Sequence, residues 1–295
     1  MLPTVIPEMM RIFLRFIIRI FRFILKFKNY STSYFCYMAK RFAKYHGTGN
    51  DFILLMGSEE LEMPEEAIIH HACTRHTGIG ADGLIVLWAS DEADFRVDYY
   101  NSDGKLGSLC GNGSRCAVHF AQSHALFSGN SCSFTAADGI HHAVVDEKGW
   151  VRVEFLDVES GTLENGGCFY NTGSPHLVLE TDDIEQIPVQ QSGAALRYGA
   201  YEPRGGSNIN WVERKENTFS MRTYERGVEA ETLSCGTGAV AVALYLHSRY
   251  GISSPVRIQA RGGVLEVFFV AMDSGYTDIA LRGPATPVYE GIWPW

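Results

Sequence analysis

Leu109-Cys110-Gly111-Asn112-Gly113-Ser114-Arg115 is answered far downstream by Ser234-Cys235-Gly236-Thr237-Gly238. Each stretch sets a cysteine and a Gly-x-Gly just ahead of a helical run. A cysteine at a helix N-terminus sits among unpaired backbone N–H groups at the positive end of the dipole, which lowers its pKa from about 8.5 toward neutrality. Glycines at the following positions let a ligand approach the backbone closely. Two reactive thiols in equivalent settings suggest a pair that works on one substrate from opposite sides. A disulfide between them would be a redox state of the same site.

Working outward, the repeat grows. Gly47-Thr48-Gly49-Asn50-Asp51-Phe52-Ile53-Leu54-Leu55 matches Asn171-Thr172-Gly173-Ser174-Pro175-His176-Leu177-Val178-Leu179. Gly49 precedes Cys110 by 61 positions and Gly173 precedes Cys235 by 62. Tyr100-Asn101 stands as far before Cys110 as Glu225-Arg226 stands before Cys235. This implies two domains of one design facing each other across a cleft. The expected division is 38–155 and 156–281, through the Gly- and acid-rich stretch 156–167, with a last strand in 282–295 returning to the first domain.

Between these landmarks the pattern is short strands with tight turns. Strands are expected over 52–56, 84–88, 95–100, 133–136, 140–145 and 150–155, with Asp146-Glu147-Lys148-Gly149 as a hairpin turn. The second half offers 177–180, 210–214, 219–224, 256–260, 264–270 and 277–281. Helices are expected over 65–76, after Pro64, and over 115–127. A third, 239–250, is apolar almost all round and therefore buried. Such close spacing favours antiparallel pairing, so the class is α+β.

Composition narrows the function. Net charge is −9, yet residues 1–37 carry six cations against Glu8, a net of +5 that leaves −14 for the rest. An acidic body without a basic stripe is a poor match for nucleic acid. Seven cysteines, an odd number at ordinary density, suit a reduced, cytoplasmic protein rather than a disulfide scaffold. There is no zinc-type spacing, and Gly78-x-Gly80-x-x-Gly83 leads into a strand where a dinucleotide fingerprint opens a helix. No cofactor or metal is therefore expected. Residues 1–37 read as a basic amphipathic helix, suited to a membrane surface or a targeting role if they belong to the natural protein. The simpler reading makes them an upstream extension, with Met38 as the start.

The chemistry that needs two such thiols is inversion at a carbon. One thiolate removes the α-proton of an amino acid while the other, as a thiol, protonates the opposite face. The proton is very weakly acidic, so the N–H groups at the two helix starts must grip the carboxylate as charge moves onto it. Cys73, Cys116, Cys132 and Cys168 read as small core hydrophobes. His176 replaces Phe52 in the repeat and is either a partner behind a cysteine or a packing residue.

KYHGTGNDFILL, YYNSDGKLGSLCGNGSRC, NTGSPHLV, GGSNINWVE and RTYERGVEAETLSCGTGAVA, in order over 38–295, resemble the signature segments of the diaminopimelate epimerase family. The resemblance implies two pseudo-symmetric domains, each a mostly antiparallel curved sheet around a central helix, paired as a homodimer. It implies inversion of L,L-diaminopimelate to the meso isomer without PLP, in lysine and peptidoglycan precursor synthesis, with Cys110 and Cys235 as base and acid. It also implies that Asn50, Asn101, Asn208, Glu225 and Arg226 hold the amino and carboxylate groups, with Gly111, Asn112, Gly236 and Thr237 giving backbone contacts. Arg226 suits a carboxylate because its planar fork meets both oxygens, and Glu225 suits an ammonium. Two positions depart from the family: Ser174 stands where many members have Asn, and Gly83 where some have Gln. The rivals are a proline or hydroxyproline racemase, which resembles CGHG at the first cysteine where Asn112 stands here, a non-catalytic amino acid-binding protein, and a thiol redox protein.

Overall fold

The computed structural model describes residues 41–58, 63–107 and 110–295. The helix expected within 1–37 lies outside them. Phe42–Glu290 with Trp295 form the compact unit considered below, and Gly291–Pro294 group outside it.

The first half runs β1 (Arg41–Gly47), β2 (Asn50–Met56), α1 (Glu66–Cys73), β3 (Gly83–Trp88), β4 (Phe95–Asn101), α2 (Gly111–Ser123), β5 (Ser131–Ala136), β6 (Gly139–Val145) and β7 (Val151–Glu154). Two short strands, β8 (Val158–Glu159) and β9 (Thr162–Glu164), occupy the stretch between the halves. The second half runs β10 (Gly167–Asn171), β11 (Pro175–Thr181), α3 (Val189–Arg197), β12 (Asn208–Lys215), β13 (Thr218–Glu225), β14 (Ala230–Thr232), α4 (Gly236–Tyr250), β15 (Val256–Ala260), β16 (Gly263–Met272) and β17 (Gly275–Gly283). β18 (Thr286–Ile292) follows.

The halves share one pairing scheme. β1–β2 is an antiparallel hairpin, β3 joins β2 in parallel after α1, β4 is antiparallel to β3, and β5 joins β4 in parallel after α2. β10–β11, β11–β12, β12–β13 and β13–β15 repeat those four relations. The parallel pairs are the exceptions within a mostly antiparallel sheet, where close strand spacing alone suggests hairpins. Each is closed by a crossover containing a helix, the connection that parallel strands require. The first hairpins differ in their turns. Gly47 faces Asn50 across a two-residue loop, whereas Asn171 faces Pro175 across three residues. β7 pairs with β17, joining the half-sheets edge to edge. β9 pairs with β10 and β18 with β1, so the strand leaving each half completes the other.

Each half-sheet wraps one buried helix. α2 packs among Phe52, Ile85, Phe95, Phe134 and Val151, and α4 among Val178, Val212, Ile258, Leu265 and Leu281. Both helices begin earlier than the expected Arg115 and Ala239, at the glycine that follows each cysteine. Glycine weakens the local helix signal by about 1 kcal/mol against alanine, which hides these starts in the sequence. Tertiary packing demands it: a Cβ on Gly111 would fall 2.8 Å from Phe155 Cζ, and one on Gly236 2.9 Å from Leu281 Cδ2 and 3.4 Å from Gly111 Cα. The two helix starts therefore meet backbone to backbone. Among the described residues, no helix is long and apolar enough to cross a membrane.

Candidate active site

Cys110 and Cys235 are the N-caps of α2 and α4, both in extended backbone. Cys110 Sγ accepts the Gly113 N–H at 3.4 Å, as an Asp or Ser cap would. Gly238 is needed for the turn itself, since a Cβ there would lie 2.5 Å from Asn210 Oδ1 and 3.3 Å from Cys235 Sγ. These glycines thus serve the close approach of protein to protein, not only of ligand to backbone. Both cysteines are free thiols.

The two caps open onto one cavity of about 290 Å³. Its walls hold Asn50, Asn101, Gly111, Asn112, Ser174, Asn208, Glu225, Arg226, Gly236 and Thr237, which is the whole set expected to touch substrate, together with Tyr99 and Gly227, which the sequence did not suggest. A second cavity of about 290 Å³ shares Cys110 and Tyr99 and is lined by Ile85, Val97, Leu106 and two alanines together with Arg96, Asp98 and Ser114. It presents one thiol and no doubled polar set, so the cleft between the helix starts is the candidate site. Among the described residues, no group of three or more His, Cys, Asp or Glu is placed to hold a metal ion.

Several expected contact residues are already engaged. Asn50 Nδ2 donates to Asp82 Oδ2 at 2.7 Å, and its Oδ1 accepts from Asn112 Nδ2 at 3.1 Å. Asn208 Nδ2 donates to Ser174 Oγ and Pro175 O, both at 2.9 Å, while its Oδ1 accepts the Arg226 N–H at 2.8 Å. Ser174 thus anchors Asn208 where the longer Asn side chain is absent. Gly83 leaves room that Tyr99 fills, for a Cβ there would meet the Tyr99 ring at 2.5 Å. Glu225 and Arg226 enter no ion pair among the described residues, against the alternative of a surface pair. Glu225 Oε2 accepts the Thr232 hydroxyl at 2.8 Å, and Arg226 Nη1 reaches Gly205 O at 3.4 Å. Strand register also moves the correspondence by one residue. Asn101 faces Gly83, and Tyr224 faces Ile209, one step from Glu225 and Asn208, so Asn101 rather than Tyr100 is the partner of Glu225.

Burial dominates the electrostatics. It pushes the Cys110 thiol up to about 12, with the Gly113 N–H pulling back and the Glu225 carboxylate pushing further. Burial and Glu225 drive Cys235 above the ordinary thiol range, opposed by the Thr237 hydroxyl. The expected depression toward neutrality is not found, because desolvation by burial outweighs the helix dipole. Glu225 is itself raised by burial to about 7, eased by Thr232 and aggravated by Asp82.

His176 lies behind Cys235. It is fully buried, and burial together with the Arg226 charge brings its pKa down to about 3, so the ring is neutral. The surrounding bonds fix its tautomer. Thr223 Oγ1 donates to Asn210 Oδ1 at 2.9 Å, which aims the Asn210 amide N–H at His176 Nδ1, 3.1 Å away. His176 Nε2–H then donates to Thr237 Oγ1 at 2.9 Å, leaving the Thr237 hydroxyl to donate to Cys235 Sγ at 3.5 Å. Every donor points at the sulfur. Asn210 and Thr223 were missed in the sequence, although Asn208 and Asn210 two apart in one strand put two buried amides on one sheet face, the available signal. Phe52 takes the place of His176 in the other half, so Cys110 has no such relay among the described residues.

Comparison with known proteins follows the same outline. The model of the diaminopimelate epimerase family matches residues 42–158 and 168–285. The diaminopimelate epimerase of Flavobacterium psychrophilum is 44% identical over 251 residues, 84% of this chain and 97% of that protein. Among solved structures, a phenazine biosynthesis protein of the PhzF family from Bacillus anthracis superposes with a TM-score of 0.68 at 14% identity, covering 87% of this chain and 99% of that one. A hydroxyproline epimerase from Agrobacterium vitis gives 0.67 at 12% identity, covering 86% and 90%. At these identities the two structures share the fold alone.

Proposed function

The chain is an isomerase that belongs to the diaminopimelate epimerase family, and on that footing we propose that it inverts one α-carbon of L,L-diaminopimelate with Cys110 and Cys235 as the acid–base pair, without PLP. The observation that carries the reading is the paired N-caps: two thiols at the starts of two abutting helices, open to one cavity. The thiolate of one cysteine takes the proton from Cα, the electron pair of the broken C–H bond moves into the carboxylate, and the thiol of the other delivers a proton to the opposite face. Two helix N-termini, each worth about half a positive charge, face that carboxylate. Glu225 answers the ammonium and Arg226 a carboxylate, while Asn101, Ser174 and Asn208 complete the polar walls. Since burial favours the protonated form of both sulfurs, the substrate's own ammonium, held beside Glu225, favours the ionised form of the base. Free thiols at the heart of the reaction require a reducing compartment, which supports a cytoplasmic enzyme of lysine and peptidoglycan precursor synthesis. Its assembly as a homodimer is part of the same proposal, and light scattering that finds an active monomer removes that part.

Reduced enzyme without added PLP or metal, incubated with L,L-diaminopimelate in D2O, is expected to exchange the α-hydrogen and form the meso isomer. Cys110→Ala and Cys235→Ala are each expected to abolish isomer formation. Full activity in either variant overturns the pair, and exchange on proline in place of diaminopimelate keeps the mechanism and changes the substrate.

A further inference from the structure

Arg115 closes the first cysteine motif, and the reaction as described does not use it. It is the largest fully buried side chain among the described residues, 0% exposed, on α2 just over one turn after Cys110. Its guanidinium sits in a slot between two glycines: a Cβ on Gly47 would come 3.1 Å from Nη2, and one on Gly283 3.1 Å from Nε. All its acceptors are neutral. Nη1 donates to Gly111 O at 3.3 Å, Nη2 to Asn112 Oδ1 at 2.9 Å and to Thr48 Oγ1 at 3.2 Å, and Nε to Pro284 O at 3.4 Å. Among the described residues no carboxylate pairs with it. Buried charges are ordinarily paired, because an uncompensated one costs several kcal/mol. Burial draws the group down only to about 10, so it stays a cation at neutral pH.

The bonds it makes set the direction of others. With Asn112 Oδ1 held by Arg115, the Asn112 amide N–H must face outward, where it meets Asn50 Oδ1 at 3.1 Å and Ser234 O at 2.9 Å. With Thr48 Oγ1 accepting from Arg115, the Thr48 hydroxyl donates to Ser234 Oγ at 2.7 Å. Both routes cross the cleft and end on the residue before Cys235. The cation also reaches the backbone next to the other thiol, at Gly111 O, and its field acts on Cys116 and, more weakly, on Cys110. Glu225 opposes ionisation of Cys110, Tyr99, Cys116 and Cys235 compete with it as further potential anions, and Arg115 favours it. The corresponding position on α4 is Val240, so the second half has no such group.

We propose that Arg115 is a positioning residue of the reaction: it locks the Cys110 and Cys235 loops in register through Asn112 and Thr48, and from its hold on Gly111 O, next to Cys110, its unpaired charge helps the Cys110 thiolate to form. The inference rests on the two-thiol reading of the cleft, and its test includes a readout independent of turnover. In Arg115→Met the pH at which Cys110 reaches half its maximal rate of alkylation by iodoacetamide, followed by peptide mass mapping, is expected to rise by at least one unit while that of Cys235 stays in place. Turnover of L,L-diaminopimelate should fall at least tenfold. Arg115→Lys keeps the charge and loses the fork, so Cys110 should titrate as in the wild type while turnover falls. Thr48→Val removes one bridge without touching the charge and should lower turnover with both alkylation profiles unchanged. Should Arg115→Met fail to fold by circular dichroism, the lysine and valine variants decide. Wild-type turnover in both of them, or an unshifted Cys110 profile in a folded Arg115→Met, overturns the proposal. A wild-type protein that alkylates as expected but epimerises nothing would instead sink the two-thiol reading.

Discussion

Thr237→Val isolates the relay behind Cys235. The substitution keeps the β-branched shape and deletes the hydroxyl that stands 2.9 Å from His176 Nε2 and 3.5 Å from Cys235 Sγ. The thiolate loses a hydrogen bond to a charged acceptor, a contribution of about 1.5–3 kcal/mol. At 1.36 kcal/mol per unit, that raises the Cys235 pKa by roughly one to two units and slows its work as a base by about ten- to 150-fold. The equilibrium constant ties the two directions together, so kcat/KM should fall equally for the L,L and meso isomers. His176 is 0% exposed and is left with a donor lacking its acceptor, so stability should fall by a further 1–3 kcal/mol, roughly, seen as a lower melting temperature. The assay is the pH profile of iodoacetamide alkylation read separately at each cysteine, beside kcat/KM in both directions. An unchanged Cys235 profile would refute the relay, and a shift at Cys110 of the same size would show that the effect is not local.

Two further outcomes follow from the cleft. Glu225 titrates at about 7 and must be ionised to hold an ammonium, so kcat/KM should fall toward tenfold per pH unit below that value; Glu225→Gln should raise KM and abolish this limb, and a limb that persists assigns it to another group. Gly236→Ala, a change that ordinarily stabilises a helix interior, should here lower the melting temperature and turnover, because the new Cβ meets Leu281 Cδ2 at 2.9 Å and Gly111 Cα at 3.4 Å; overpacking of this kind costs about 1–3 kcal/mol, and a melting temperature at or above that of the wild type would mean the helix starts do not abut.

The resemblance of its segments to a known family named nearly every residue on the cavity wall, and the sequence by itself determined the paired cysteines and the two-fold plan. These reside in local patterns, a cap followed by Gly-x-Gly and a repeat of near-constant interval, that survive without knowledge of neighbours. The order of most strands was legible for the same reason, since alternation and turn residues are local. Tertiary structure alone decided the helix starts at Gly111 and Gly236, because the glycines are there for a contact between residues 125 positions apart that no local propensity records. It also decided the four parallel pairs, which depend on where a helix lies down. The resting state of the thiols belongs to the fold as well: a helix N-terminus argues for a thiolate, but burial of Cys110 and Cys235 beside Glu225 argues more strongly against it. Arg115, Asn210 and Thr223 read as ordinary residues of a helix and two strands. Their meaning lies in the acceptors and donors that folding brings to them, since the direction of a hydrogen bond is settled only when every partner in the chain is in place.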